Sequence, residues 1–230
     1  MTLDVKKVAK LLAVSEKTVY QWIARSEIPF YKIGQSYQFN KVELLEWASA
    51  KKIQVSYQIF EETLGAPESM PSLTEAIQAG GIYYDVSGTD RESVLKSIVR
   101  VIHLPSEVDR TFLVQALIER ENLEATTIGD GIAIPHVRNP IISHVNQPIL
   151  ALCFLKQGID FKALDQKPVN TVFTIITPTI RSHLYVLSRL SYVLQQPDFR
   201  RIISDRSGPS EILSALTNLE KTLTRKPSKG

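Results

Sequence analysis

The sequence predicts an α/β fold: a sheet covered by helices on both faces, behind a small helical head. Three observations carry this. Residues 149–155 and 171–176 are near-continuous apolar runs, as strands buried on both faces are. Apolar residues at helical spacing recur around them, as in Val94, Leu95, Ile98, Val99 and Ile102. Charge is also unevenly spread: residues 1–53 hold nine Lys/Arg against five Asp/Glu, and residues 70–220 hold fourteen against sixteen. A basic head on an acidic body implies two modules with different partners.

In the head, Thr2 is a candidate cap for a helix carrying Val5, Val8, Ala9 and Leu12. Ser15 caps a second helix over residues 16–25, and Pro29 ends that unit. Residues 30–33 and 36–39 alternate around Gly34-Gln35, the pattern of a tight hairpin. Asn40 followed by Glu43 is a capping-box variant before Leu44, Leu45 and Trp47. Gly65-Ala66-Pro67 and Pro71 mark a linker, which divides the chain into a head (1–52), a linker (53–70), a body (71–220) and a polar tail (221–230). In the body, residues 73–79 read as a short helix and 82–86 as a strand. Asp90 caps a helix, and Pro105-Ser106 opens another that ends near Arg120-Glu121. A strand at 132–134 follows, then the two apolar strands, an amphipathic helix from Ser182 and two more over 199–204 and 210–219.

At 230 residues the chain suits two domains. It has no run of about 18 apolar residues, so no membrane insertion is expected. The N-terminus lacks the order of a signal peptide, which points to the cytoplasm. Cys153, the single cysteine, lies in an apolar strand and reads as a small buried hydrophobe. There is no Cys/His zinc spacing and no Walker loop, so neither metal nor cofactor is expected.

Chemistry points to residues 131–138, where an apolar run stops at Pro135 and His136 follows. Proline cannot donate to a sheet ladder, so it marks a strand's end or edge. His136 therefore stands where the chain leaves the sheet, a usual place for function.

Two resemblances extend this reading. Val14-Ser15-Glu16-Lys17-Thr18-Val19-Tyr20-Gln21-Trp22-Ile23, then Ile28-Pro29-Phe30-Tyr31-Lys32-Ile33-Gly34 and Tyr37-Gln38-Phe39, resemble excisionase-like and MerR-like winged helix-turn-helix domains over residues 3–49. In such domains the second helix enters the major groove and the wing touches the backbone. The resemblance implies that Ser15, Lys17, Thr18, Tyr20, Gln21 and Arg25 face DNA, with Lys32 and Gln35 on the wing. Gln21, Ala24, Gln35 and Gln38 stand where the family often has arginine, and each missing base weakens phosphate binding. A compact adaptor that contacts only protein is the bland alternative.

The body resembles a phosphotransferase-system enzyme IIA domain of the fructose/mannitol/nitrogen-regulatory class, from Leu73 to Leu219. The motifs are Arg120-Glu121-Asn122-Leu123-Glu124, residues 126–136, residues 158–165, and Thr177-Pro178-Thr179 leading to His183. The resemblance implies a mixed sheet with helices on both faces and His136 as acceptor of a phosphoryl group from an HPr-like phosphocarrier. A neutral imidazole is a competent nucleophile near neutral pH. His183 is implied as its companion near a helix start, Arg120 as a grip on phosphate oxygens, and Glu121 as an orienting group. Thr127 and Gly129 shape the loop. Arg138 reads as surface or partner-docking, and His103 and His144 as solvent-exposed. Val137 and Gln166 depart from the family's smaller residues, Val137 where it would crowd a partner.

Together these imply a phosphohistidine phosphotransfer component, rather than a free-standing metabolic enzyme, coupled to DNA binding and transcriptional regulation. The alternatives are a phosphocarrier that donates to a separate enzyme IIB with a vestigial helix-turn-helix, and a non-catalytic module that docks a regulatory protein.

Overall fold

The computed structural model describes residues 2–34, 36–51, 53, 70–137 and 145–224. The body is built on a mixed five-stranded sheet of order β4-β7-β8-β6-β5, with β4 Ile82–Val86, β5 Thr127–Gly129, β6 Ile132–Ala133, β7 Ile149–Ile159 and β8 Val169–Ile176. The β7/β8 pair at its centre is antiparallel, β4 runs parallel to β7 and β6 parallel to β8, and β5 closes an edge antiparallel to β6.

The apolar runs divide by alternation, as side chains on a strand must. Leu150, Leu152, Phe154, Phe173 and Ile175 face one apolar cluster; Ile149, Ala151, Cys153, Val172 and Ile176 face the other. The second is closed by α5 Arg91–Val101 and α6 Arg110–Leu123, through Val94, Leu95, Ile98, Leu113 and Leu117. The first is closed by α4 Leu73–Gly80, α7 Ile180–Leu194, α8 Pro197–Ser204 and α9 Pro209–Thr224. Cys153 is fully buried there, and burial pushes its thiol up to about 12.

The head folds around α1 Val5–Leu11, α2 Glu16–Ala24 and α3 Lys41–Ala50. Beside them lies a small antiparallel sheet of β1 Thr2–Leu3, β3 Ser36–Asn40 and β2 Tyr31–Ile33, in the order β1-β3-β2. Ser15 caps α2 as expected, its hydroxyl accepting from the Thr18 N–H at 3.1 Å. Thr2 does not cap α1: it pairs with Asn40, and Asp4 caps instead by accepting from the Lys7 N–H. Asp109 rather than Ser106 starts α6, and Thr179 rather than Ser182 starts α7. In each case the cap is the residue whose side-chain oxygen accepts from the N3 amide; for α7 that places the start three residues before Ser182. Most of the 53–70 linker, the 225–230 tail, Gln35, Arg138 and His144 lie outside the described residues.

The two modules are packed together. One apolar cluster runs from Leu44, Leu45 and Ala48 of α3 through Ile128, Leu184 and Leu187 of the body. α3 lies against α7 and β5, and Gln195 Nε2 donates to the Ile53 carbonyl at 3.4 Å.

A carboxylate from the far end of the chain secures this core. Glu220 accepts from the backbone N–H groups of Leu73 (2.6 Å) and Thr74 (3.0 Å) and from the Thr74 hydroxyl (2.9 Å). It also meets the Arg189 guanidinium at 3.3 Å, with both side chains buried. Removing one partner of such a group leaves buried charge and donors unmatched. Glu220→Ala is therefore expected to lower stability by about 3 kcal/mol, read as a fall in denaturation midpoint at unchanged slope.

Candidate functional site

The site is built by a hairpin and a strand end. Gly129, Asp130 and Gly131 all have positive φ (81°, 53° and 74°), which turns β5 sharply into β6. A Cβ at Gly131 would stand 3.1 Å from the Pro168 carbonyl, so glycine serves there for both conformation and space. The turn is tied down at Asp130: its N–H donates to Asp165 (2.8 Å), and its carboxylate pairs with Lys167 (2.9 Å) and Arg200. Gln166, in the neighbouring loop, holds φ +57° without being glycine.

After β6 the chain keeps its register against β8. The Ile134 N–H donates to Thr126 O (2.9 Å), and the Ile175 N–H donates to Pro135 O (3.0 Å). His136 then makes a single parallel bridge to Ile175. Pro135 thus contributes its acceptor and needs no donor, and the imidazole emerges where the ladder ends.

His136 and His183 come together, with ring centroids 4.8 Å apart and planes tilted by 41°. Both are only 3% exposed. His136 Nδ1 lies 2.8 Å from the Ile134 carbonyl, which can only accept, so in the neutral ring Nδ1 carries the proton and Nε2 the lone pair. His183 sits one turn into α7. Its own N–H is already bonded to Thr179 O, so any help from the helix comes through the dipole rather than through that amide.

Arg120 and His136 line the same cleft, of about 380 Å³. The Arg120 guanidinium is buried and donates to the Glu124 carbonyl at 2.9 Å. Glu121 points elsewhere: it borders a separate surface hollow with Asp90 and Arg91, and accepts from the Thr126 N–H (3.0 Å) and hydroxyl (2.6 Å). It thereby fixes the start of the segment holding Thr127 and the hairpin. Burial pushes its carboxyl above the usual range, against the opposing pull of Thr126 and Arg120.

Val137 does not crowd a partner. It is buried in the cluster on the opposite sheet face from His136, because neighbouring residues of an extended chain point to opposite sides. His103 is exposed and packs edge-on against Tyr83.

In the head, Lys17, Tyr20 and Gln21 stand exposed on α2, with Arg25 just beyond it and Lys32 on the hairpin. Ser15 and Thr18 are engaged with each other at 2.8 Å in the helix cap. Tyr20, Tyr37 and Phe30 form an edge-to-face file that fixes the hairpin against α2. Sequence reading missed the head residues that share the His136 cleft, among them Glu27, Glu43, Trp47 and Lys51. No local pattern could have revealed a contact between modules so far apart in the chain.

No helix among the described residues is long and apolar enough to cross a membrane. No group of three or more His, Cys, Asp or Glu among them is placed to hold a metal ion.

Glu121 offers a pH-resolved test. Because its folded-state carboxyl titrates above its unfolded value, ionisation weakens the fold: the stability is fully present below the unfolded value and is lost as pH rises from there, the loss being complete once pH has passed the folded value. Relative to Glu121→Gln, which keeps an acceptor for the Thr126 N–H, the wild type should gain stability as pH falls from 7 towards the ordinary carboxylate range. Glu121→Ala should cost about 1–3 kcal/mol, since both Thr126 donors lose their partner. Urea unfolding at several pH values measures both.

Residues 75–219 match the family described as phosphoenolpyruvate-dependent sugar phosphotransferase system, EIIA 2, and residues 2–52 match a helix-turn-helix domain. The chain is 33% identical over 145 residues to a nitrogen regulatory protein of Pseudomonas aeruginosa, covering 61% of this chain and 90% of that one. It is 29% identical over 152 residues to the fructose-specific EIIABC component of Bacillus subtilis, 65% of this chain but 24% of that protein, so it spans about a quarter of that relative. The crystal structure of nitrogen regulatory protein IIA-Ntr from Neisseria meningitidis superposes with a TM-score of 0.54 at 26% identity, over 63% of this chain and 98% of that one. The matched stretch takes in the whole five-stranded sheet, the hairpin and both histidines, and on that ground the chain belongs to the phosphotransferase-system EIIA 2 family, with a helix-turn-helix domain ahead of it.

Proposed function

We propose that His136 accepts a phosphoryl group from the phosphohistidine of an HPr-like carrier, and that this chain is a regulatory protein whose head binds DNA. One observation carries the reading: a paired imidazole whose proton is held on Nδ1 by a backbone carbonyl, in a cleft shared with a buried guanidinium. In the transfer, the Nε2 lone pair attacks phosphorus. The donor's P–N bond breaks, and its electron pair returns to the carrier's imidazole. The positive charge that builds on the His136 ring is met by the Ile134 carbonyl through Nδ1–H. Such a reaction needs positioning and charge stabilisation more than covalent help. Arg120 and His183 supply these to the phosphoryl oxygens, as donors beside the acceptor.

Incubation with enzyme I, HPr and phosphoenolpyruvate, followed by intact mass, should show one added phosphoryl group on the wild type and none on His136→Ala. His183→Ala should slow acceptance by about 10- to 100-fold, the scale of losing one oriented stabilising group.

The head's reading rests on the helix-turn-helix match and on the exposed Lys17, Tyr20 and Gln21 of α2. DNA contact there would be dominated by phosphates, with Gln21 able to read an adenine edge. Lys17→Ala should weaken binding to all duplexes alike and reduce the salt slope by about one, measured by fluorescence anisotropy across a salt series.

A further inference from the structure

The cleft above His136 has two walls, and one of them is the head. The turn after α2 contributes Glu27, α3 contributes the half-buried Glu43 and Trp47, and Lys51 follows α3; the body contributes Arg120, Glu124 and His136. With this wall in place His136 is 3% exposed. A phosphoryl donor must bring an imidazole bearing PO3 into line with Nε2, which needs an open approach several ångströms wide. The head is held by a continuous apolar cluster and by the packing of α3 on α7 and β5, so it is seated rather than merely adjacent.

The exposed face of α2 lies elsewhere. Lys17, Tyr20 and Gln21 are uncovered and none of them borders the cleft. The docked head therefore walls the cleft onto which the proposed phosphoacceptor opens, while leaving the proposed DNA-contacting face open.

We infer that the helix-turn-helix domain is a gate on the phosphoacceptor: the chain as folded here is closed to its phosphodonor, and phosphoryl transfer requires the head to leave the cleft. This rests on the phosphoacceptor role given to His136. Charge gives the gate a direction. A phosphoryl group adds about −1.5 to −2 charge, and the head wall presents the carboxylates of Glu27 and Glu43. Glu43 is held in place by the Tyr31 hydroxyl, which reaches both its oxygens at 2.8 and 2.9 Å. Phosphorylated His136 therefore repels the two carboxylates of the returning wall, offset in part by Lys51, by the Arg25 guanidinium 4.0 Å from Glu27 and by Arg120 in the same cleft, and the open form persists until the group is passed on.

A reversible lock tests this on the full chain. Glu27 on the head and Leu164 on the body both border the cleft and are both exposed, Leu164 at 80%. In the double variant Glu27→Cys, Leu164→Cys, a bismaleimide with a disulfide-containing spacer joins the walls. The native Cys153 is buried, with its thiol raised to about 12, and does not compete. Single-turnover acceptance from phosphorylated HPr is then followed before and after reduction of the spacer. Locked protein should accept at least tenfold more slowly, and reduction should restore the rate, although both forms carry the same adducts at the cleft mouth. Equal rates in the locked and reduced forms overturn the gate while leaving the phosphoacceptor intact. Absence of phosphorylation in the locked, reduced and wild-type proteins alike overturns the phosphoacceptor reading, and the gate with it.

Discussion

The bond from His136 Nδ1 to the Ile134 carbonyl is the constraint on which the rest turns. It decides which nitrogen of the neutral ring bears the lone pair, and it forms where the chain runs on from β6 along β8, so that the His136 ring comes beside the carbonyl two residues back. Pro135, between them, offers no N–H while its carbonyl still accepts from Ile175. The register of β6 on β8 thus sets the tautomer of a side chain outside both strands. The tight hairpin before β6, with three consecutive residues at positive φ, holds that register from the other side. Chemistry at one nitrogen is in this sense a property of the sheet.

How much of this was legible depended on the range of the interaction. The central strands and the long helices were readable because burial and periodicity are local properties, and their edges moved only by a few residues when a better-placed cap was available. The placing of His136 at a strand end is readable from Ile-Ala-Ile-Pro-His, since a proline directly after an apolar run marks such an end, but its proposed role comes from the family resemblance. His183, 47 residues later, carries no local sign of its partner and entered only through the family resemblance. Val137 was misjudged because adjacency in sequence was taken for adjacency in space, whereas in extended chain the next residue faces the other way. Glu121 is implied by the resemblance to orient the arginine or a histidine; its carboxylate is bonded to Thr126, five residues on, and anchors that segment. The Glu220 clamp on the start of α4 spans 147 residues, and a glutamate in an amphipathic C-terminal helix looks in sequence like any solvated one.

The head shows what net charge conceals. Its surplus of nine bases over five acids suggests a nucleic-acid partner, and Lys17, Arg25 and Lys32 are indeed exposed. Two of its five acids, Glu27 and Glu43, stand instead at the cleft over His136. A sum over the domain averages these faces away. Only the fold separates a basic outward face from a partly acidic face turned towards the proposed phosphoacceptor site.

That separation bears on whether a single phosphoryl group could move the head. Shifting a two-state balance from 99:1 to 1:99 takes about 5.5 kcal/mol. Two unit charges about 8 Å apart, at an effective dielectric near 20, interact by ~2 kcal/mol. A group of charge near −2 facing two carboxylates therefore commands at most an energy of the required order, before the opposing pull of Lys51 and Arg120 and the pairing of Glu27 with Arg25 are subtracted. Charge alone is then sufficient only if the apolar seat of α3 is shallow. The steric argument has no such condition, since an incoming phosphohistidine and the head wall cannot occupy the same space. Exclusion by volume is thus the firmer half of the proposed gate, and repulsion after the proposed transfer would act on a head already displaced by the donor, where it would have only to slow the return.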